Sequence, residues 1–251
     1  MDANLLVLGG TTEASQLCRA LARAGVRGTV SLAGRVATPV PQALPLRIGG
    51  FGGSAGLAKY LRAEGITHVV DATHPFAARM SANAVAACGQ SGVPLLALTR
   101  APWQQIAGDH WTRVADIAGA VAALGGVPRR VMLAVGRLHL PDFAVEAQHF
   151  YLLRLVDPPA EPLAFPDHHV IVERGPFTLE GDMALMRQHG IDLVVSKNSG
   201  GTGAFAKIVA ARRLGLPVIM IDRPHIPARR EAHGVDEVLR WLGHATADLG
   251  V

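Results

Sequence analysis

Short apolar runs alternate with alanine-rich amphipathic stretches along almost the whole chain. Runs rich in leucine and β-branched residues predict strands over 4–8, 29–33, 46–48, 67–71 and 94–98. The stretches between them predict helices over 12–24, 54–64 and 77–91, with Gly25, Gly65 and Gly92 placed where a helix stops on a left-handed residue. A second set follows, with strands over 131–135, 150–156, 170–173, 193–196 and 217–221 and helices over 114–124, 179–189, 203–214 and 235–242. The proline-rich segment 157–166 is loop. Strand–helix alternation implies parallel sheets covered on both faces, joined by right-handed crossovers. The fold class is therefore α/β, as two Rossmann-like doubly wound parallel-sheet domains with the ligand cleft between them. Arg100-Ala101-Pro102-Trp103 breaks the pattern, which sets the domains at 1–105 and 106–251.

The chain's 251 residues suffice for two hydrophobic cores. No apolar run reaches membrane-spanning length and the start lacks a basic leader, so the expected location is cytoplasmic. The formal charge of +4 comes almost wholly from scattered arginine. Without a basic block or interleaved aromatics it does not suit nucleic acid. It suits a small polyanion better, since guanidinium pairs with carboxylate or phosphate in bidentate fashion, although an arginine-rich codon bias accounts for most of the count equally well. Cys18 and Cys88 have no partner at metal-binding spacing and read as buried packing residues. His139, His149, His168 and His169 form no closed ligand pattern, so no metal is assigned.

Candidate chemistry gathers at the carboxyl ends of the expected strands. Gly9-Gly10-Thr11-Thr12-Glu13 turns the first strand into a helix through glycine, leaving amide donors and a positive helix end for a phosphate. The second strand runs into Ser31-Leu32-Ala33-Gly34-Arg35, where an NAD-binding fold would carry an acidic residue for the ribose 2′-hydroxyl. Ser31 and Arg35 would instead neutralise a 2′-phosphate, which favours NADP(H); a solvent-facing Arg35 is the bland alternative. The fourth strand ends in Asp71-Ala72-Thr73-His74-Pro75, where Pro75 keeps His74 out of helix at the edge that would hold a nicotinamide. His74 is a proton donor, a polar wall or part of a turn leading into a helix, and Asp71 is an acceptor for amides of that turn.

In the second half, Ser196-Lys197-Asn198-Ser199-Gly200-Gly201-Thr202-Gly203 forms a cradle for an anion or polar ligand. It is not a Walker A loop, and Lys207 beyond it reads as a packing or surface residue. Gly136-Arg137 and Glu173-Arg174-Gly175-Pro176 mark two further strand ends. No Gly-x-Ser-x-Gly elbow is present, and neither Tyr60 nor Tyr151 has the lysine four residues on that short-chain reductases use.

Four motifs in this order, Gly9-Gly10-Thr11-Thr12-Glu13-Ala14, Asp71-Ala72-Thr73-His74-Pro75-Phe76-Ala77, Arg174-Gly175-Pro176-Phe177 and Ser196-Lys197-Asn198-Ser199-Gly200-Gly201, resemble the precorrin-6A reductase family of cobalamin biosynthesis. The resemblance covers about residues 5–224 and implies an NADPH-dependent reductase that saturates one ring double bond of precorrin-6A to give precorrin-6B. Carried onto this chain, Gly9 to Glu13, Ser31, Gly34, Arg35 and Asp71 to Pro75 would hold NADPH. Lys197 to Gly201 would face the tetrapyrrole, and Arg137, Arg174, Lys197 and Arg223 would meet its carboxylates. His74 and Lys197 are the catalytic candidates, and the proton donor stays open among His74, Lys197 and bulk water. The metal-free and cobalt-bound substrates are not separated by motif. The expected partner is the small-molecule substrate alone, met by a monomer, with no nucleic acid or membrane; handover to other pathway enzymes stays open. Another NADP(H) reductase and a coenzyme-sensing module are the rival readings.

Overall fold

The structure, a computed structural model, describes residues 3–34 and 39–247. The chain divides into two compact units, Met1–Arg100 with His225–Val251, and Ala101–Pro224. The C-terminal segment thus returns to the first unit, whereas the sequence reading had assigned it to the second.

In the first unit β1 (Asn4–Leu8), α1 (Thr12–Arg23), β2 (Arg27–Leu32), β3 (Leu46–Ile48), α2 (Gly53–Ala63), β4 (His68–Asp71), α3 (Ala78–Ser91) and β5 (Leu95–Leu98) follow the expected alternation. In the second lie β6 (His110–Val114), α4 (Ile117–Leu124), β7 (Arg130–Ala134), a 3-10 turn (Arg137–His139), α5 (Leu140–Phe143), β8 (Phe150–Leu155), β9 (His168–Val172), α6 (Leu179–Gln188), β10 (Leu193–Lys197), α7 (Ala206–Leu214) and β11 (Pro217–Ile221). The chain then re-enters the first unit as β12 (Glu231–Ala232) and α8 (Val235–Ala247).

Among the described residues the strands form two six-stranded sheets, in the orders β12-β5-β4-β1-β2-β3 and β6-β11-β10-β7-β8-β9, with parallel pairing throughout. Each order reverses direction once, between β1 and β4 in one sheet and between β7 and β10 in the other. At such a switch the neighbouring loops leave on opposite faces and open a crevice at the strands' carboxyl ends.

Alternation along β1 shows why both faces are covered. Leu5 and Val7 pack with α1 and α8 residues such as Leu17, Leu21 and Trp241. Leu6 and Leu8 pack with Leu57 and Leu61 of α2 and Ala84 and Ala87 of α3. All four β1 side chains are fully or almost fully buried, so a continuous apolar run is what this central strand requires. In the second unit Met132, Leu152, Val194, Val218 and Met220 pack against Met186 of α6 and Ile208, Ala210 and Ala211 of α7.

The 3-10 turn, α5 and β12 are absent from the pattern reading, and β6 and α7 depart from it. Residues 110–114, whose last residue had been read as the start of a helix, form edge strand β6 against β11; α4 begins later, where Asp116 accepts a hydrogen bond from the Gly119 amide at 2.8 Å and caps it. Helix α7 starts at Ala206 rather than Gly203, because the carbonyls of Asn198, Ser199, Gly201 and Ala204 accept from the side chains of Arg223, Trp103 and Lys207 and hold the segment as a loop.

Candidate active site

At the first switch point three loops are tied together by the chain itself. Gly10 takes φ +115°, a left-handed value that favours glycine, and lets β1 turn into α1. A Cβ on Gly9 would stand 3.0 Å from Val30 and 3.1 Å from Leu32, so β2 packs directly on this turn. The Gly9 amide donates to the Ser31 carbonyl at 2.9 Å. The Thr11 hydroxyl accepts from the Ala14 amide at 3.1 Å and donates to the Ala72 carbonyl at 2.8 Å. Thr11 thereby caps α1 and fastens it to the turn after β4. Thr12 is exposed at the first turn of α1, whose amide donors a helix leaves unpaired. Glu13 brings a carboxylate to the same helix end, paired with Arg100 at 3.6 Å.

Asp71 is 2% exposed and saturated. One carboxylate oxygen accepts from the Thr73 amide at 3.1 Å and the Thr73 hydroxyl at 2.6 Å; the other accepts from the Ser81 hydroxyl at 2.6 Å and from Arg229. Four donors fill its lone pairs. Asp71, predicted from sequence to hold the coenzyme, therefore holds the turn that precedes His74. His74 Nδ1 accepts from the Phe76 amide at 3.2 Å, and Pro75 between them is buried. Ser31 is buried and its hydroxyl accepts from Arg47 at 3.2 Å; Gly34 lies close by in sequence at φ +74°. Arg35 lies outside the described residues.

The second switch point has its own rim. Lys197 ends β10 half-buried, and the following loop carries Gly200 and Gly201 at φ +67° and +69°. A Cβ on Gly200 would fall 2.2 Å from the Ala101 carbonyl and 2.5 Å from the Arg223 guanidinium, an overlap nothing but glycine avoids. Asn198 is buried, and its amide is committed: Oδ1 accepts from the Trp103 amide at 2.7 Å and Nδ2 donates to the Trp103 carbonyl at 3.0 Å. The Trp103 indole donates to the Gly201 carbonyl at 2.7 Å. Arg223 donates to the carbonyls of Asn198 at 3.0 Å and Ser199 at 3.1 Å. Asn198 and Arg223, both expected to touch substrate, thus spend these contacts on shaping the loop. Arg174 pairs with Asp157 at 3.0 Å, and Arg137 is exposed on the 3-10 turn.

Beneath this loop sits a buried charged group. Lys207 Nζ donates to the Ala204 carbonyl at 2.7 Å and lies 5.1 Å above the Trp103 ring. Burial drives its pKa down to about 8, against an opposing pull from Asp182. Arg154 pairs with the buried Asp182, reaches Glu173 at 3.7 Å, and stacks on Phe177 at 4.1 Å. Trp103, Arg47, Arg154, Asp182 and Arg229 were not singled out for a site role by sequence. Among them only Trp103 left a trace, in the break at 100–103.

Comparison with known proteins shows the family. The model of the family described as "Precorrin-6x reductase CbiJ/CobK" matches residues 4–243. The chain belongs to this family. A precorrin-6A reductase of Rhodobacter capsulatus is 59% identical over 98% of this chain and 99% of its own length, and one from Mycobacterium tuberculosis is 43% identical over 94% of each. A cobalt-precorrin-6A reductase of Priestia megaterium is 30% identical over 96% of this chain and 99% of its own. The solved structure titled "CobK precorrin-6A reductase" superposes with a TM-score of 0.93 at 59% identity, covering 96% of both chains. Family membership makes the chain an oxidoreductase of cobalamin biosynthesis acting on a macrocycle double bond. Among the described residues no group of three or more metal-ligating side chains is assembled, and no helix is long and apolar enough to cross a membrane.

Proposed function

We propose that this chain reduces one ring double bond of precorrin-6A to give precorrin-6B, with NADPH as the hydride source, as a monomer in the cytoplasm. The supporting pattern is that precorrin-6A reductases match at 43–59% identity, whereas the cobalt-precorrin-6A reductases match at 30–33%. The observation that carries the coenzyme assignment is the rim at the first switch point. There the bonds Gly9 to Ser31 and Thr11 to Ala72 gather the loops after β1, β2 and β4.

Bound NADPH supplies a hydride from C4 of its nicotinamide. The amides of Gly10 to Glu13 and the positive end of α1 would hold the pyrophosphate, with the Gly9 amide tied to the Ser31 carbonyl behind them. Ser31 and Arg35 hold the 2′-phosphate. The turn Ala72-Thr73-His74-Pro75 lines the nicotinamide half, fixed in shape by Asp71. In the second unit Lys197, Ser199, Gly200 and Gly201 face the tetrapyrrole; Arg137 and Arg174 serve its carboxylates, and Asn198 and Arg223 keep the loop in place. The protein's work would be chiefly positioning: holding hydride donor and acceptor in a reactive orientation with water excluded. The proton would come from His74, Lys197 or bulk water.

An anaerobic assay following NADPH absorbance with precorrin-6A tests this directly. NADPH is consumed with metal-free substrate, slowly with the cobalt form, and NADH substitutes poorly. Arg35→Ala raises the Kd for NADPH at least tenfold more than that for NADH, the worth of one charge-assisted contact. Lys197→Ala keeps NADPH binding and loses turnover. Equal use of NADH, or an unaltered Lys197→Ala enzyme, refutes the corresponding assignment.

A further inference from the structure

We infer that Arg47, the central residue of β3, is a determinant of coenzyme choice that recognises the 2′-phosphate together with Ser31. This rests on the NADPH reading above and extends it to a residue that neither motif nor family resemblance singled out.

Arg47 is paired in register with Ser31 on the adjacent strand, so the two side chains leave the same face of the sheet. Its Nη1 donates to the Ser31 hydroxyl at 3.2 Å and to the Gly49 carbonyl at 2.6 Å, and its Nη2 donates to the Gly50 carbonyl at 2.7 Å. The guanidinium lies 3.8 Å above the Phe51 ring, which holds its plane. Every one of these oxygen acceptors is neutral. Among the described residues Arg47 forms no ion pair, whereas Arg113, Arg154, Arg212 and Arg229 are each paired with a carboxylate. A half-buried, rigidly held and uncompensated cation therefore stands one hydrogen bond from Ser31, whose carbonyl in turn takes the Gly9 amide of the phosphate loop.

The donor inventory fits a phosphate. Three of the five guanidinium hydrogens are used, leaving Nε–H and one on Nη2. Because Ser31 accepts from Arg47, its own hydroxyl hydrogen is left to donate. Together they offer an O–H and two charged N–H groups at the end of β2, where the ribose of a dinucleotide lies. The rings of Phe51 and Tyr60, 3.8 and 5.2 Å from the guanidinium carbon, hold the cation in place, and a clamp serving only the Gly49–Gly50 turn would not need the Ser31 contact.

The experiment compares 2′,5′-ADP with 5′-ADP by calorimetry on the full chain, as wild type, Arg47→Met and Arg47→Lys. Wild type prefers 2′,5′-ADP. Arg47→Met lowers that preference roughly tenfold, the effect of one charge-assisted hydrogen bond, while Arg47→Lys keeps most of it. Should Arg47→Met fail to fold, Arg47→Gln, whose amide still reaches a loop carbonyl, takes its place. Equal loss for both nucleotides, or none for either, makes Arg47 a turn clamp and overturns the inference while the NADPH reading stands. A wild type that binds both alike overturns that reading itself.

Discussion

Removing Arg229 leaves one of the most deeply buried carboxylates in the first unit without its counter-charge. The side chains of Asp71 and Arg229 are 1% and 8% exposed. Breaking a buried ion pair from one side costs about 3–5 kcal/mol, because the remaining charge is stranded in low dielectric. Here Asp71 keeps three neutral donors, from the Thr73 amide, the Thr73 hydroxyl and the Ser81 hydroxyl. That places Arg229→Met at the lower end, about 3 kcal/mol, or roughly 6–12 °C in Tm for a protein of this size. Asp71→Asn costs a similar amount, since it faces an amide N–H₂ or a weakened acceptor toward the guanidinium. The double variant strands neither charge and is less damaged than the sum of the two, by about 2 kcal/mol of coupling. Urea titration read by hydrogen-exchange mass spectrometry follows the first unit's peptides separately, because two units need not unfold as one. The same data report whether protection of 72–81 falls first in Arg229→Met, as it must if Asp71 organises that turn. Additive single losses, within about 0.5 kcal/mol, would refute the argument.

Three further outcomes follow from the second unit and the thiols. Gly200→Ala places a methyl against the Ala101 carbonyl and the Arg223 guanidinium, so it raises the KM for precorrin-6A well over tenfold while NADPH binding is unchanged; coenzyme titration and steady-state kinetics check both. Lys207 is held at about pKa 8 against 10.5, chiefly by burial, so the unfolded chain binds the extra proton between those values and its contribution to stability rises with pH across that window. The gain is of the order of 3 kcal/mol, and Lys207→Met abolishes it; the difference between wild type and variant at pH 7.5 and 10 is the measurement, because the thiols and tyrosines pull the opposite way in both. Burial pushes the Cys18 and Cys88 thiols up to about 11 and 12, so the native protein resists thiol reagents at pH 8 and reacts at both sites once urea unfolds it.

Much of the architecture is written locally. A central parallel strand must be apolar on both faces, which makes β1, β4, β7, β10 and β11 visible as runs; glycine and proline mark where each run turns toward the ligand edge. The same logic placed Gly9 to Glu13, Asp71 to Pro75 and Lys197 to Gly201 at strand ends, because α/β sheets present their loops there whatever the rest of the chain does. Family membership was legible for the same reason: those loops carry residues chosen for chemistry and turn geometry rather than for packing.

What folding in three dimensions decided is which of those residues are spent on one another. Asp71 and Arg229 are separated by 158 positions, Trp103 and Asn198 by 95, and no local pattern links either pair. β12 has two residues and gains its identity only by lying beside β5, so the return of the C-terminal segment to the first unit could not be read from periodicity. Arg47 shows the same limit at closer range: on β3 it is one arginine among many, and only strand register sets its guanidinium beside the Ser31 hydroxyl. Hydrophobic patterning and turn chemistry act over a few residues and therefore stand in the sequence. Charge pairing and hydrogen-bond commitment act through space, and exist only once the sheets have brought distant strand ends together.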